Sequence, residues 1–207
     1  MNIERINALH DPRFRENVLK QHGAFLADGR PCEIEITGER TATVYCEDSA
    51  CIDELIELFR YFAEHITVFH APDGTLLREF APVELFEIEI GEIQPSQFYV
   101  NADKLAAVSS FIKTGRDVIV PLNIVDRRYI SMDGHTRLRR ALDLGEKKVL
   151  GFITETNDAL LWFVDQAKQR GIDGVKDMEI VSAEEYEAKW MRFCDDHFAQ
   201  DERTDEV

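Results

Sequence analysis

The chain has few cysteines and no long apolar run. Its cysteines form no C-x-x-C pair and have no ligand-like spacing with histidine; they are Cys32, Cys46, Cys51 and Cys194. We therefore expect ordinary small, often buried side chains in a reducing compartment rather than a zinc site. No run of 18 apolar residues is present, and the first residues carry charges where a signal peptide is apolar. These absences predict a cytoplasmic protein with no membrane partner.

Basic residues are also scarce. The chain has 24 Lys and Arg against 40 Asp and Glu, which gives a formal net charge of −16. Because such a charge repels polyanions at long range, duplex DNA is an unlikely partner. Apolar residues are plentiful, since 44% of the 207 residues are hydrophobic and 13 are Phe. That is enough to form the core of one large domain or two small ones.

The pattern of apolar residues and turns predicts an α+β fold that begins with a small N-terminal α+β unit, residues 1–81. A helix is expected at 11–21 and a hairpin at 23–36 that turns at Asp28-Gly29. A strand follows at 40–46, then a helix at 50–66 capped by Ser49, and a hairpin at 67–80. No catalytic constellation emerges from this unit.

A second domain, mixed sheet and helix, is predicted over residues 82–155. It reads as a strand at 83–90, a helix at 101–115 closed by Gly115, strands at 117–126 and 127–132, a helix at 135–145 and a strand at 147–153. C-terminal helices are expected over 156–200, one capped by Asn157 and one starting with a Ser182–Glu185 capping box. Residues 201–207 are predicted to be a disordered tail.

One stretch is rich in basic residues, which are scarce in the chain as a whole. "SMDGHTRLRRALDLG", residues 131–145, lies in a region (103–148) with ten basic and six acidic residues. A strand runs through Asp133-Gly134 directly into a helix, whose first turn offers backbone N–H donors and a positive dipole end. Gly134 permits close approach of a ligand, and Arg137 presents a planar fork that suits phosphate oxygens. The residues alone favour a phosphate site and a purely structural turn about equally.

Residues 86–153 resemble the ParB/sulfiredoxin-like domain. The resemblance rests on a leading strand that ends in I-x-P, a helix, a Pro-led strand, and D-G-H-x-R-x-x-A-x-x-x-L-G. In this family, ParB partition proteins bind CTP through a Gly-Glu-Arg-Arg turn and sulfiredoxins use ATP with a Gly-Cys-His-Arg turn. Free-serine kinases carry Asp-Gly-His-His-Arg and a glutamate base near the I-x-P loop.

The turn of this chain is most similar to the kinase version, with Thr136 in place of a His. His135 stands where sulfiredoxins have their nucleophilic Cys, and the acidic C-terminal helices replace the helix-turn-helix domain of ParB. The kinase base would fall at or near Gln97, whose amide cannot take a proton from serine. The resemblance therefore implies nucleotide binding and makes phosphotransfer doubtful.

The expected site follows from the motif and the resemblance together. Asp133 and His135 are the candidate catalytic residues, and Ser96 and Gln97 the candidate substrate loop. Nucleotide or phosphate would be bound by Lys104, Gly134, His135, Thr136 and Arg137. Asp133 would either hold a magnesium ion or cap the following helix. The nucleotide is expected to be ATP, ADP or CTP.

Three functions remain open from the sequence. The first is binding of a nucleotide or phosphate, with the activity of a small-molecule phosphotransferase as an extension. The alternative is a non-catalytic module that binds another protein through the acidic helices and the N-terminal unit. A chromosome-partition or DNA-processing factor is less favoured.

Overall fold

The structure, a computed structural model, describes residues 2–155 and 158–204, and within them the side chains of all but 158, 159 and 200–204. The chain divides into two compact units, Met1–Leu85 and Phe86–Val207. Both contain helices and mixed sheets, which confirms the predicted α+β class. None of the helices in the described part of the chain is both long and apolar enough to span a membrane.

The first unit is built on a six-stranded sheet. Its strands are β1 (Ile3–Arg5), β2 (Ala24–Ala27), β3 (Arg30–Ile36), β4 (Thr41–Tyr45), β5 (Val68–His70) and β6 (Leu76–Glu79), and they lie in sequence order. The helices are α1 (Glu16–Lys20) and α2 (Ile52–Arg60), the second of which connects the parallel strands β4 and β5. Both predicted hairpins are confirmed. The three residues of β1 were missed, because so short an edge strand shows no alternation of its own.

Helix α2 is shorter than predicted at both ends. Ser49 is not its cap; it begins a 3-10 turn, Ser49–Cys51, whose cap is Asp48 with a side chain that accepts a bond from the Ala50 nitrogen. At the other end the chain leaves the helix after Arg60 and not at residue 66. The Arg60 guanidinium donates to the carbonyls of Glu64 and Ile66, which satisfies acceptors in the irregular segment that follows.

Two of the three cysteines of the first unit are not the ordinary side chains that we expect in a reducing compartment, because they form a disulfide. Glu33 lies opposite Tyr45 in the β3–β4 ladder, so the same register brings Cys32 opposite Cys46, with 4.7 Å between their Cα atoms. Cys32 and Cys46 are disulfide-bonded, whereas Cys51 and Cys194 are free. Sequence spacing could not show this pairing, because it depends on strand register.

The second unit contains a five-stranded sheet and a separate strand pair. Its strands are β7 (Phe86–Glu89), β8 (Ile93–Pro95), β9 (Tyr99–Asn101), β10 (Ile119–Val125), β11 (Arg128–Ser131), β12 (Lys148–Ile153) and β13 (Glu179–Val181). The sheet order is β7-β12-β10-β11-β8, and β9 pairs with β13 in parallel. The helices are α3 (Ala102–Ser109), α4 (His135–Asp143), α5 (Asp158–Gln169), α6 (Ala183–Tyr186) and α7 (Arg192–Thr204), with a π-helical turn, Glu187–Met191, between the last two.

Helix α3 ends six residues before Gly115, where we had placed its end. The Ser109 hydroxyl donates to the Leu105 carbonyl and the Ser110 hydroxyl to that of Ala107, so side chains take over acceptors of the last turn. Gly115 instead begins a 3-10 turn, Gly115–Asp117. The short strands β9 and β13 were also missed, and the leading strand expected to end in I-x-P is divided into β7 and β8.

The C-terminal helices share the core of the second unit. Phe163 and Trp190 belong to the same buried cluster as Val120 of the sheet and Leu138 of α4. The Ser182–Glu185 capping box is confirmed, whereas the predicted Asn157 cap lies outside the described residues. Helix α7 continues to Thr204, which is inside the segment predicted to be a disordered tail, and residues 205–207 are not described.

Candidate functional site

The Asp133-Gly134 turn joins β11 to α4, as the sequence predicted. Gly134 is the N-cap of α4 and has a φ of 82°, a left-handed conformation that favours glycine. A Cβ at this position would lie 2.7 Å from Val120 Cγ1 and 3.0 Å from Arg137 Nη2. Space and backbone conformation therefore both require glycine here. Since glycine has no side chain, it leaves the first N–H groups of α4 without a side-chain cap.

Arg137 lies against this glycine, one turn into the helix. Its Nη1 donates to the Ile119 carbonyl at 2.8 Å, and its Nη2 lies 3.3 Å from Asp133 Oδ2. The Arg137 side chain is 22% exposed and that of Asp133 57%. The guanidinium is thus held in place by the backbone of β10, while the carboxylate of the turn is open to solvent.

His135 is buried beneath the turn and is not presented to solvent. Its Nε2 lies 3.2 Å from the Ser96 backbone nitrogen, from Ser96 Oγ and from Ser131 Oγ. Because Nε2 accepts the Ser96 N–H, the ring proton is assigned to Nδ1. Burial lowers the pKa of His135 to about 4, a value that includes the opposing effect of the Asp133 charge and the smaller lowering effect of Arg137. At neutral pH the ring is therefore an uncharged acceptor that fixes the turn.

Strand pairing brings the predicted substrate loop to this turn. Ser131, the last residue of β11, lies opposite Pro95 of the parallel strand β8, so Ser96 and Gln97 follow directly beside Asp133. The Ser96 hydroxyl donates to the Ser131 carbonyl at 3.0 Å. Gln97 donates through Nε2 to the carbonyl of Tyr99. Both side chains therefore have internal partners.

Tyr186 is a site residue that sequence reasoning missed. Asn101 caps α3 at the end of β9, and Ser182 caps α6 just after β13. Because these two strands are parallel, the N-termini of both helices lie at the same edge. Lys104 Nζ of α3 is consequently 5.5 Å from the centre of the Tyr186 ring on α6.

The buried Tyr186 phenol also connects the other candidates. It lies close enough to the Gln97 side chain and to Asp133 for both to affect its pKa. Burial raises the pKa of Tyr186, and the charge of Asp133 contributes in the same direction. The structure thus groups Gln97, Lys104, Asp133 and Tyr186. The capping box at Ser182 was the signal for the start of this helix, but only the β9–β13 pairing shows what the helix faces.

The other arginines of α4 serve to hold the helix in place. Arg139 binds Asp143 and the Met178 carbonyl, at 2.9 and 2.8 Å. Arg140 Nε lies 3.4 Å from the Ile112 carbonyl. Of the three, Arg137 is the one at the turn.

A cavity of about 340 Å³ lies elsewhere in the second unit. It is lined by residues that include Ile90, Leu142, Gly171 and Asp177, so it adjoins the C-terminal end of α4. None of residues 133–137 lines it. The cavity is therefore separate from the grouped site residues.

Comparisons with known proteins identify no family for the chain. No family model matches it, and no curated protein matches it. Among solved structures, it is similar to the crystal structure of protein Atu1540 from Agrobacterium tumefaciens, at 16% sequence identity and a TM-score of 0.34. The match covers 49% of this chain and 64% of that one, so the chain spans less than two thirds of that protein.

Proposed function

We propose that the second unit binds a phosphate-bearing ligand, a nucleoside di- or triphosphate such as ATP, ADP or CTP, at the N-terminus of α4. One observation carries the proposal: a nine-residue helix begins at a glycine without a side-chain cap, and the guanidinium of Arg137 lies against that glycine. Uncapped N–H groups, a positive dipole end and a planar cation together suit phosphate oxygens. The resemblance of residues 86–153 to ParB/sulfiredoxin-like domains supports the same ligand class.

Each residue of the turn has a proposed role. The backbone of Gly134 and Thr136, the Thr136 hydroxyl and the Arg137 guanidinium bind one phosphate. Lys104, whose helix α3 packs against α4, binds a further phosphate of the same ligand. His135 and Ser96 are positioning residues, because both are buried and bonded to each other.

Asp133 suits a magnesium ion only together with the ligand. Mg²⁺ is usually bound through one or two carboxylates plus substrate phosphates and water. Asp133 offers one carboxylate, 57% exposed, and already pairs with Arg137. We propose that it binds Mg²⁺ together with the phosphate oxygens of a ligand that has engaged Arg137.

Phosphotransfer is the weaker part of the proposal. An amide cannot accept a proton from a hydroxyl nucleophile, and the resemblance implies a kinase base at or near Gln97. The neighbouring imidazole of His135 is buried and already accepts a hydrogen bond from the Ser96 backbone nitrogen. We therefore propose binding with slow or absent turnover, which makes Asp133 an electrostatic or metal-binding residue rather than a base.

Calorimetry with ATP, ADP, CTP and GTP, each with and without Mg²⁺, tests the proposal. Arg137→Ala should weaken binding roughly tenfold to a hundredfold, since a charge-assisted contact contributes about 1.5–3 kcal/mol. Arg128→Ala is the matched control, because Arg128 bonds the Asp173 carbonyl. Equal binding by the wild type and Arg137→Ala would refute the site.

A second function is favoured by the internal bonds of the turn. Arg137 already binds Ile119 and Asp133, and His135 already binds Ser96, as in a turn that serves only the fold. In that case the protein is a non-catalytic module that binds another protein. Absence of any nucleotide-induced rise in melting temperature, with binding of none of the four nucleotides, would favour this function.

A further inference from the structure

Three cysteine sulfur atoms meet in the core of the first unit. We define the three-cysteine cluster as Cys32, Cys46 and Cys51, whose sulfur atoms all lie within 4.8 Å of one another. Cys46 Sγ is 3.2 Å from Cys51 Sγ. Cys32 is 2% exposed and Cys51 is fully buried, while Cys46 is partly buried against the same core.

Three separate elements create this cluster. Cys32 lies on β3, Cys46 follows β4 opposite it, and Cys51 ends the 3-10 turn that leads into α2. The side chain of Asp48 caps that turn by accepting from the Ala50 nitrogen, which fixes the position of Cys51 over the strand pair. The arrangement therefore rests on strand register and a helix cap rather than on flexible side chains.

The surroundings of the cluster favour a cation. The Asp48 carbonyl oxygen accepts from the Cys51 thiol at 3.1 Å and lies 3.5 Å from Cys46 Sγ. The carboxylates of Asp48, Glu54 and Asp28 are near enough to Cys51 to act on it electrostatically. An ion held by three thiolates at about 2.3 Å would space their sulfur atoms about 4 Å apart, which is compatible with this cluster.

We propose that the three-cysteine cluster, once reduced, is a binding site for one thiophilic metal ion of the zinc, cadmium or copper(I) type, and that the Cys32–Cys46 disulfide is its oxidised, metal-free state. Soft thiolate ligands select such ions over magnesium or calcium. A dithiol reductant supplies two electrons and two protons to the disulfide and becomes a disulfide itself. Each of the three thiols then releases one proton as its sulfur binds the ion. This site is independent of the phosphate site in the second unit.

Cadmium titration of the reduced full-length protein tests the site. After reduction with dithiothreitol and anaerobic desalting, we expect four titratable thiols and one bound equivalent of Cd²⁺. The intensity of the thiolate-to-cadmium absorption band should correspond to three bound sulfur atoms. Air-oxidised protein should show two thiols and no band. Cys51→Ser should lose at least tenfold in affinity, whereas Cys194→Ser, at the cysteine outside the cluster, should bind like the wild type.

Alkylation of the wild-type protein keeps the test valid if a cysteine variant fails to fold. In partly unfolded, reduced protein that is loaded with Zn²⁺, iodoacetamide should modify Cys194 alone. After a chelator has removed the Zn²⁺, the three cluster cysteines should react under the same conditions. Mass spectrometry locates the modified residues. Less than one bound equivalent, equal Cd²⁺ binding by oxidised protein or Cys51→Ser, or no protection by Zn²⁺ would each overturn the proposal.

Discussion

The backbone nitrogen of Ser96 lies 3.2 Å from Nε2 of His135, so a loop and a helix 39 residues apart in sequence share one hydrogen bond. The imidazole can accept this bond only while Nε2 is unprotonated. The bond therefore links the protonation of one buried ring to the position of the loop that carries Gln97.

The second unit should lose stability as the pH decreases, because of His135. The unfolded chain takes up a proton near pH 6.5, whereas the folded imidazole does so only near pH 4. The unfolding free energy should therefore decrease as pH falls from about 6.5 to about 4, by about 3 kcal/mol from this group. Urea unfolding followed by tryptophan fluorescence at several pH values measures it. His135→Gln is the comparison, and an identical pH dependence in that variant would contradict the assignment.

Gly134→Ala should destabilise the second unit more than Gly145→Ala. Both glycines flank α4 with a positive φ, 82° and 79°, so both substitutions carry a similar backbone cost of about 1 kcal/mol. A Cβ at Gly134 also meets Val120 and Arg137, whereas a Cβ at Gly145 meets nothing within 4 Å. We expect an additional loss of about 1–2 kcal/mol at Gly134. Denaturant midpoints measure the difference, and equal losses would argue against this packing of the turn.

Gln97→Glu should lower stability even if it restores a base. Gln97 donates to the Tyr99 carbonyl, which a carboxylate cannot do, so we expect a loss of about 1–3 kcal/mol. Slow or absent phosphorylation of free serine by the wild type is expected, with a gain in Gln97→Glu if the remaining geometry is intact. A radiometric assay of serine phosphorylation measures turnover. The Gln97→Ala variant loses the bond to the Tyr99 carbonyl without gaining a carboxylate, so it separates the two effects. Brisk turnover by the wild type would show that another residue acts as base.

Duplex DNA should not bind appreciably at physiological salt. The net charge is −16, and Arg139 and Arg140 are engaged with the Met178 and Ile112 carbonyls of their own fold. These two arginines are therefore not available to neutralise successive phosphates. Fluorescence anisotropy of a labelled duplex measures the binding. A parallel titration in low-salt buffer, where any electrostatic binding is strongest, serves as the comparison. Tight binding that weakens steeply as salt rises would contradict the expectation.

Local signals predicted both ends of α4 and the start of α6, although not the end of α3. Gly134 and Gly145 mark the start and the end of α4 as expected, and the Ser182–Glu185 box marks the start of α6. These are effects of neighbouring residues in the chain, which a sequence displays directly.

Long-range pairing accounts for what was missed. Tyr186 joins the candidate site only because β13 pairs with β9, and each strand is three residues long. Cys32 and Cys46 meet only through the β3–β4 register. The burial of His135 likewise depends on a loop distant in sequence. Such contacts are set by tertiary packing and leave no periodic pattern in the residues themselves.

The π-helical turn that follows Tyr186 has a practical consequence. Within it lies Trp190, which is 9% exposed and has its indole ring 4.7 Å from the ring of Phe98, the residue after Gln97. We expect a displacement of either Gln97 or Tyr186 to alter the edge-on contact between these two rings. The fluorescence of Trp190 should report that displacement. It can be followed during a titration without attaching a dye.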